Sequence, residues 1–101
     1  MEISLDNFLD GKIKIYQPKN GYRAGIDAIL LASSVKVFKK CKILDIGSGT
    51  GVISLFIASK YKNVEIVGIE KNFKYYSLSM KSLKINKLKS KIKFLNKNLS
   101  A

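Results

Sequence analysis

The alternation of apolar and polar positions predicts three short β-strands separated by two helices. Runs rich in branched apolar residues lie at 42–46, 64–69 and 91–95, and each has the length of a strand. Residues 52–60 are apolar almost all round, whereas Phe73, Tyr76, Met80 and Leu83 repeat at helical spacing. Strand, helix, strand, helix, strand implies parallel pairing with right-handed crossovers. We therefore predict an α/β fold, half of a doubly wound sheet, with residues 64–69 buried on both faces.

The first 40 residues predict a smaller segment ahead of this sheet. Residues 12–16 alternate charged and apolar side chains, as a half-buried strand does, and residues 18–21 have the composition of a turn. A helix is predicted from Asp27, which is a suitable N-cap. Its apolar stripe comprises Ala28, Leu31, Ala32 and Val35. We accordingly divide the chain into an N-terminal segment, residues 1–40, and an α/β unit, residues 41–101.

A glycine-rich loop at residues 47–51 joins the first strand of the α/β unit to the helix that follows it. Ligands of such sheets bind at this edge, where the strands end and the helix presents free amides. A phosphate-binding P-loop would need Lys and Ser/Thr after the last glycine, but Val52 and Ile53 stand there. The glycine spacing also differs from the dinucleotide fingerprint by one residue, which weakens that alternative and leaves it open.

The nine residues 43–51, with Asp45 two positions before Gly47, resemble the S-adenosylmethionine motif of class I methyltransferases. The resemblance implies a Rossmann-like class I methyltransferase fold and S-adenosylmethionine as cofactor. Asp45 would face the cationic groups of the cofactor, and Glu70 the ribose hydroxyls. Asn98 falls where the class has an acid that accepts from the adenine amino group. The expected cofactor-binding residues are Asp45, Gly47, Ser48, Gly49, Gly51, Glu70, Asn98 and Arg23. Either acid alone could be an ordinary strand terminus, but their joint spacing favours the site.

The N-terminal string 17–32, which contains Gly21-Tyr22-Arg23 and a run from Asp27, resembles a more specific group. It is similar to the segment that precedes the glycine motif in bacterial tRNA adenine-N6 methyltransferases acting on valine tRNA. In that family the helix beginning near Asp27 covers the cofactor pocket, so residues 1–40 are expected to cover the site. The resemblance implies an enzyme that methylates an adenine exocyclic amine, with tRNA as its partner.

The base-recognising motif of that family, Asn-Pro-Pro followed by an aromatic residue, does not occur in these 101 residues. Pro18 is the only proline. A target base must leave its stack and enter a pocket before it can react, so we predict no catalytic residue here. We expect a cofactor-binding fragment that is inactive alone, with a separate C-terminal half as a possible partner. The fourth strand of the class pairs with the first, so residues 42–46 are expected at an open edge.

Charge and composition fit this interpretation without deciding it. The chain carries 19 basic and 7 acidic residues, a formal charge of +12, and residues 71–101 hold nine lysines and no acid. Such a segment suits RNA phosphates, yet 18 of the 19 basic residues are lysine, as in AT-rich genomes. One cysteine and no histidine argue against a disulfide framework and a metal site. With no secretory signal and no membrane-spanning stretch, we expect a cytoplasmic protein.

Three alternatives to the tRNA adenine-N6 methyltransferase remain open. The first is a non-enzymatic remnant or RNA-binding module that uses the lysine-rich end. The other two are fragments of a glutamine-N5 protein methyltransferase or of a guanine-N2 RNA methyltransferase, because these families share the glycine loop. The N-terminal string is the feature that argues against them.

Overall fold

The computed structural model contains two small sheets and three helices. It describes residues 2–8, 11–20, 26–37 and 39–99, and of residues 26–27 it describes the backbone alone. The elements are β1 (Ile3–Phe8), β2 (Ile13–Pro18), α1 (Ile26–Ser34), β3 (Cys41–Ile46), α2 (Val52–Lys60), β4 (Val64–Glu70), α3 (Phe73–Ile85) and β5 (Lys91–Asn96). The α/β class is as predicted, and β1 is an additional strand. Within the described ranges, no helix is long and apolar enough to span a membrane.

The main sheet is parallel and has the strand order β3-β4-β5. Ile43 lies opposite Ile66, and Ile66 lies opposite Ile92, so the three strands are aligned with one another in register. The strands consequently end side by side, at Ile46, Glu70 and Asn96. The loops that follow them meet at one edge of the sheet, which is where the sequence places its candidate site.

One face of this sheet is covered and the other is open. Helices α2 and α3 cover the face that carries Val64, Ile66 and Phe94, which are 1–4% exposed. On the opposite face Leu44 is 58% and Ile46 65% exposed. The expectation that β4 is buried on both faces is wrong, because Glu65, Val67 and Ile69 on its second face are only half-buried. The expected open edge is observed, since β3 pairs with β4 alone among the described strands.

The N-terminal hairpin docks onto α3 through polar side chains. The Ser82 hydroxyl accepts from the Tyr16 backbone N–H at 2.8 Å. Asn86 accepts from the Lys14 N–H at 2.8 Å and donates to the Lys14 carbonyl at 2.6 Å, as a neighbouring strand would. The predicted apolar face of α3 is wrong at Phe73, which is 65% exposed. The buried residues of α3 are Leu78, Ser79 and Ser82, and Ser82 together with the C-cap Asn86 satisfies backbone groups at the free edge of β2.

Replacing Asn86 by alanine is expected to lower the free energy of unfolding by about 2 kcal/mol, because it removes a buried side chain that pairs with both backbone groups of Lys14. Urea unfolding followed by circular dichroism measures the loss. The control is Asn63→Ala at an exposed position, for which a change within about 0.5 kcal/mol is expected. Equal effects at the two positions would contradict the docking role of Asn86.

Helix α1 packs on α2 and differs from its sequence prediction in two respects. It begins at Ile26, so Asp27 lies in its first turn and is not its N-cap. Ala32 is 1% exposed, as the predicted stripe requires, but Leu31 is 58% exposed. The helix therefore buries a narrower face than its apolar composition suggests.

Candidate functional site

A tight loop at residues 47–51, the glycine loop, connects β3 to α2 and is fixed to the end of β4. The N–H groups of Gly47 and Ser48 both donate to the Ile69 carbonyl, at 2.8 and 3.0 Å. Gly51 has a φ of 89° and directly precedes α2. A Cβ on Gly51 would lie 2.9 Å from the Phe94 ring, so this position requires glycine for both its conformation and its space.

Glu70 connects the glycine loop to the start of α3. Glu70 is buried, with 9% of the residue exposed. One carboxylate oxygen accepts from the Gly49 N–H at 2.9 Å, and the other accepts from the Asn72 N–H at 2.8 Å. Each oxygen thus keeps acceptor capacity for a further donor. Asn72 in turn caps α3 by accepting from the N–H groups of Lys74 and Tyr75.

Asp45 is a half-buried carboxylate near Glu70. Its oxygen accepts from the Ser54 hydroxyl at 2.7 Å. Burial raises the pKa of Asp45, the hydrogen bond from Ser54 lowers it, and repulsion from Glu70 raises it further, with a net increase above 3.8. None of the described lysines forms an ion pair with Asp45. Two neighbouring acids, neither of them in a described ion pair, suit a cationic ligand.

Two adjoining cavities meet at Glu70. The first, about 280 Å³, has Asp45, Glu70 and Tyr75 among its lining residues and is closed on one side by Ala28 of α1. The second, about 320 Å³, has apolar walls from Ile46, Ile69 and Leu99. Gly47, Glu70 and Lys71 line both. The site therefore offers an acidic compartment and an apolar compartment side by side.

The structure brings most of the predicted site residues together. The acidic compartment is lined by Asp45, Gly47, Ser48, Gly49 and Glu70, and the apolar one by Asn98. Gly51 is buried and lines neither of these two cavities. Arg23 lies outside the described residues, as does Tyr22, and the side chain of Asp27 is likewise not described.

Sequence reasoning missed Asn96, which stabilises the end of β4. Its side-chain amide donates to the carbonyls of Glu70 and Lys71, at 2.9 and 3.2 Å. The register that places Glu70 opposite Asn96 explains the contact. Aligning the predicted strand ends would have drawn attention to this residue, because all three end at the same edge.

A family model described as the methyltransferase small domain matches residues 23–101, most of the chain. The chain belongs to this family. The assignment to the class I S-adenosylmethionine-dependent methyltransferases made from the sequence is thereby confirmed, and so is the Rossmann-like fold.

Relatives of this small methyltransferase domain include enzymes with two kinds of substrate. The release factor glutamine methyltransferase of Fusobacterium nucleatum is 32% identical over 74 residues, which is 70% of this chain and 21% of that protein. The tRNA1(Val) (adenine(37)-N6)-methyltransferase of Flavobacterium johnsoniae is 37% identical over 60 residues, 58% of the chain and 26% of that protein. The protein of the same description from Vibrio campbellii is 28% identical over 68 residues, 67% of the chain and 28% of that protein.

A solved structure shares the fold of the domain. It is the tRNA (uracil-54, C5)-methyltransferase of Pyrococcus abyssi in complex with S-adenosyl-L-homocysteine, with a TM-score of 0.66 and 16% identity. The match covers 94% of this chain and 24% of that one. The chain thus spans between 21% and 28% of the curated relatives described above.

The residues of the site fit S-adenosylmethionine, the cofactor that the family match supports. This molecule has an ammonium group and a sulfonium at one end and a flat adenine ring at the other. Asp45 and Glu70 provide acceptors in one compartment, and Ile46 and Ile69 provide apolar walls in the other. A cationic ligand would also lower the raised pKa of Asp45.

Proposed function

We propose that this chain forms the S-adenosylmethionine-binding part of a methyltransferase that modifies the N6 amino group of an adenine in tRNA. The observation that carries the cofactor proposal is the meeting of Asp45, Glu70 and the glycine loop at the ends of two adjacent parallel strands. The substrate proposal is supported by the N-terminal string 17–32 and by the relatives described as tRNA1(Val) (adenine(37)-N6)-methyltransferases.

Each residue of the site has a distinct role in this proposal. Asp45 accepts from the ammonium group, and Glu70 uses its remaining lone pairs for the ribose hydroxyls. Ser48 and Gly49 form the wall of the acidic compartment, and Asn98 lies beside the adenine. Arg23 belongs to the N-terminal segment, residues 1–40, which covers the site. The bound cofactor supplies a methyl group activated by its positive sulfur.

Residues 41–101 are, in this proposal, the first half of the complete α/β domain. Its second half supplies the base-recognising residues, whether on the same or on a separate chain. The 101 residues alone then bind the cofactor but transfer no methyl group. Ala28, which closes the acidic compartment from α1, supports the covering role of residues 1–40.

A second candidate is methylation of a glutamine side chain in a protein. It is favoured by one observation, the 32% identity over 74 residues with the release factor glutamine methyltransferase of Fusobacterium nucleatum. Both acceptors are planar amine or amide nitrogens, so the cofactor-binding part does not distinguish between them.

Calorimetric titration of the 101-residue chain with S-adenosylmethionine tests the cofactor proposal. We expect saturable binding, and we expect no labelled methyl group in unmodified tRNA when the chain is incubated with it alone. A folded chain that gives no binding signal would refute the cofactor role, and efficient tRNA methylation by the chain alone would refute the fragment role.

Disrupting the coding sequence in the source cells separates the two substrates. We expect mass spectrometry of valine tRNA to show loss of N6-methyladenosine, with methylation of release-factor glutamine retained. The reverse pattern would replace the tRNA proposal by the second candidate. The matched control restores the intact coding sequence, which should return the lost modification.

A further inference from the structure

Half of the lysines lie at the end of the sheet opposite the cofactor site. Three stretches lead into β3, β4 and β5, at residues 35–42, 60–62 and 87–91, and none contains an acid. Their nine lysines, of 18 in the chain, are all exposed. They are Lys36, Lys39, Lys40, Lys42, Lys60, Lys62, Lys87, Lys89 and Lys91. We call them the lysine edge.

Hydrogen bonds hold the three stretches against one another. The Tyr61 hydroxyl donates to the Val35 carbonyl at 3.3 Å, and the Cys41 N–H donates to the Asn63 carbonyl at 3.4 Å. The Ser90 hydroxyl donates to the carbonyls of Ala58 and Tyr61. The hydrogen bonds therefore bring the lysines of the three stretches to the same end of the sheet, although the stretches are far apart in sequence.

A recess adjoins the lysine edge. It is a cavity of about 420 Å³ whose lining includes Lys12, Lys60, Phe56 and Leu88. Lys12 comes from the start of β2, so the basic surface extends to the N-terminal hairpin. Two lysines that line one recess are positioned to contact the same anionic group.

The described acids leave most of this charge uncompensated. Glu65 lies between Lys42 and Lys91, at 3.9 and 3.8 Å from their ammonium groups. Asp45 and Glu70 lie at the other end of the strands. Among the described residues, positive charge is therefore densest at the lysine edge, and such a surface attracts polyanions from solution.

We propose that the lysine edge binds the phosphate backbone of RNA, at the end of the sheet away from the cofactor. The choice of RNA rests on the proposed function. A strand of six residues spans about 20 Å, so an RNA that contacts both ends must be longer than a single nucleotide. A membrane surface fits less well, because Tyr61 and Leu88, the large apolar residues that the structure describes in these three stretches, are half-buried.

Two variants of equal net charge test the proposal. In the edge variant, Lys39, Lys62, Lys87 and Lys89 are replaced by glutamine. In the control variant, Lys19, Lys74, Lys81 and Lys93, exposed at other places, are replaced by glutamine. Fluorescence anisotropy with a labelled RNA hairpin over a series of KCl concentrations measures binding. We expect the edge variant to bind at least tenfold more weakly, with a salt slope smaller by about 3, and the control variant within about twofold of the wild type.

Equal weakening in the two variants would overturn the proposal, because net charge alone would then explain binding. Tighter binding of a DNA hairpin of the same sequence would overturn the choice of RNA. Loss of binding to phosphatidylserine vesicles, with RNA binding unchanged in the edge variant, would assign the surface to membranes instead. S-adenosylmethionine binding is measured on the same samples and should be unchanged in both variants. Loss of RNA binding and loss of cofactor binding are therefore recorded separately, and each proposal can fail without the other.

Discussion

Gly51→Ala is expected to lower the free energy of unfolding by about 3 kcal/mol, since two penalties add at this position. The backbone φ of 89° is unfavourable for any residue with a Cβ. The new methyl group would in addition lie 2.9 Å from the Phe94 ring and 3.2 Å from the Ser79 Cβ. Both neighbours are buried, so neither can move away without opening the core.

Urea denaturation measures this loss, and Gly47→Ala provides the matched control. Gly47 has a φ of 74°, but a Cβ there would have no atom within 4 Å. Only the conformational penalty remains, so a loss of about 1 kcal/mol is expected. If the two variants were equally destabilised, the contact between Phe94 and the glycine loop would not contribute as described.

Asp45→Asn is expected to weaken S-adenosylmethionine binding by about 10- to 100-fold, the usual effect of losing a hydrogen bond to a charged group. The same substitution should stabilise the chain without ligand, because it removes a half-buried charge that repels Glu70. Asparagine keeps an oxygen that can accept from Ser54. Calorimetric titration and urea unfolding of the same samples measure the two opposite effects.

The pH dependence of stability gives a second readout for Asp45. Since its pKa is raised in the folded chain, the folded state holds the proton more tightly than the unfolded state does. The Asp45 contribution to stability therefore falls as the pH rises from the ordinary value of 3.8 through the raised pKa. This fall should be absent from Asp45→Asn and present in the control Glu65→Gln. Wild-type affinity in Asp45→Asn, or a loss of stability, would argue against the proposed role.

The features predicted correctly from the sequence are those set by local patterns. Helix α2 has the predicted bounds, Val52–Lys60, because its apolar run is interrupted by glycines on one side and lysines on the other. The meeting of Asp45 with Glu70 follows from parallel pairing, since both stand at or next to a strand end. The positions of the two acids in the sequence therefore predict that they lie close together, without any knowledge of how the helices pack.

The features that were missed depend on contacts between distant segments. Strand β1 has a mixed pattern, and its backbone pairing with β2 determines its conformation. Ser82 on the inner face of α3 and Asn86 at its C-cap form hydrogen bonds with the backbone of β2, far away in sequence. Hydrophobic periodicity predicts that Phe73 and Met80 face the core, but both side chains are exposed.

The position of Glu70 has a consequence for the entropy of ligand binding. Its two oxygens already hold the Gly49 and Asn72 amides, so the glycine loop and the start of α3 are fixed relative to each other before any ligand arrives. A binding surface that is ordered in advance loses little conformational freedom when it is occupied. Preorganisation of this kind is expected to lower the entropic cost of binding S-adenosylmethionine at this edge of the sheet.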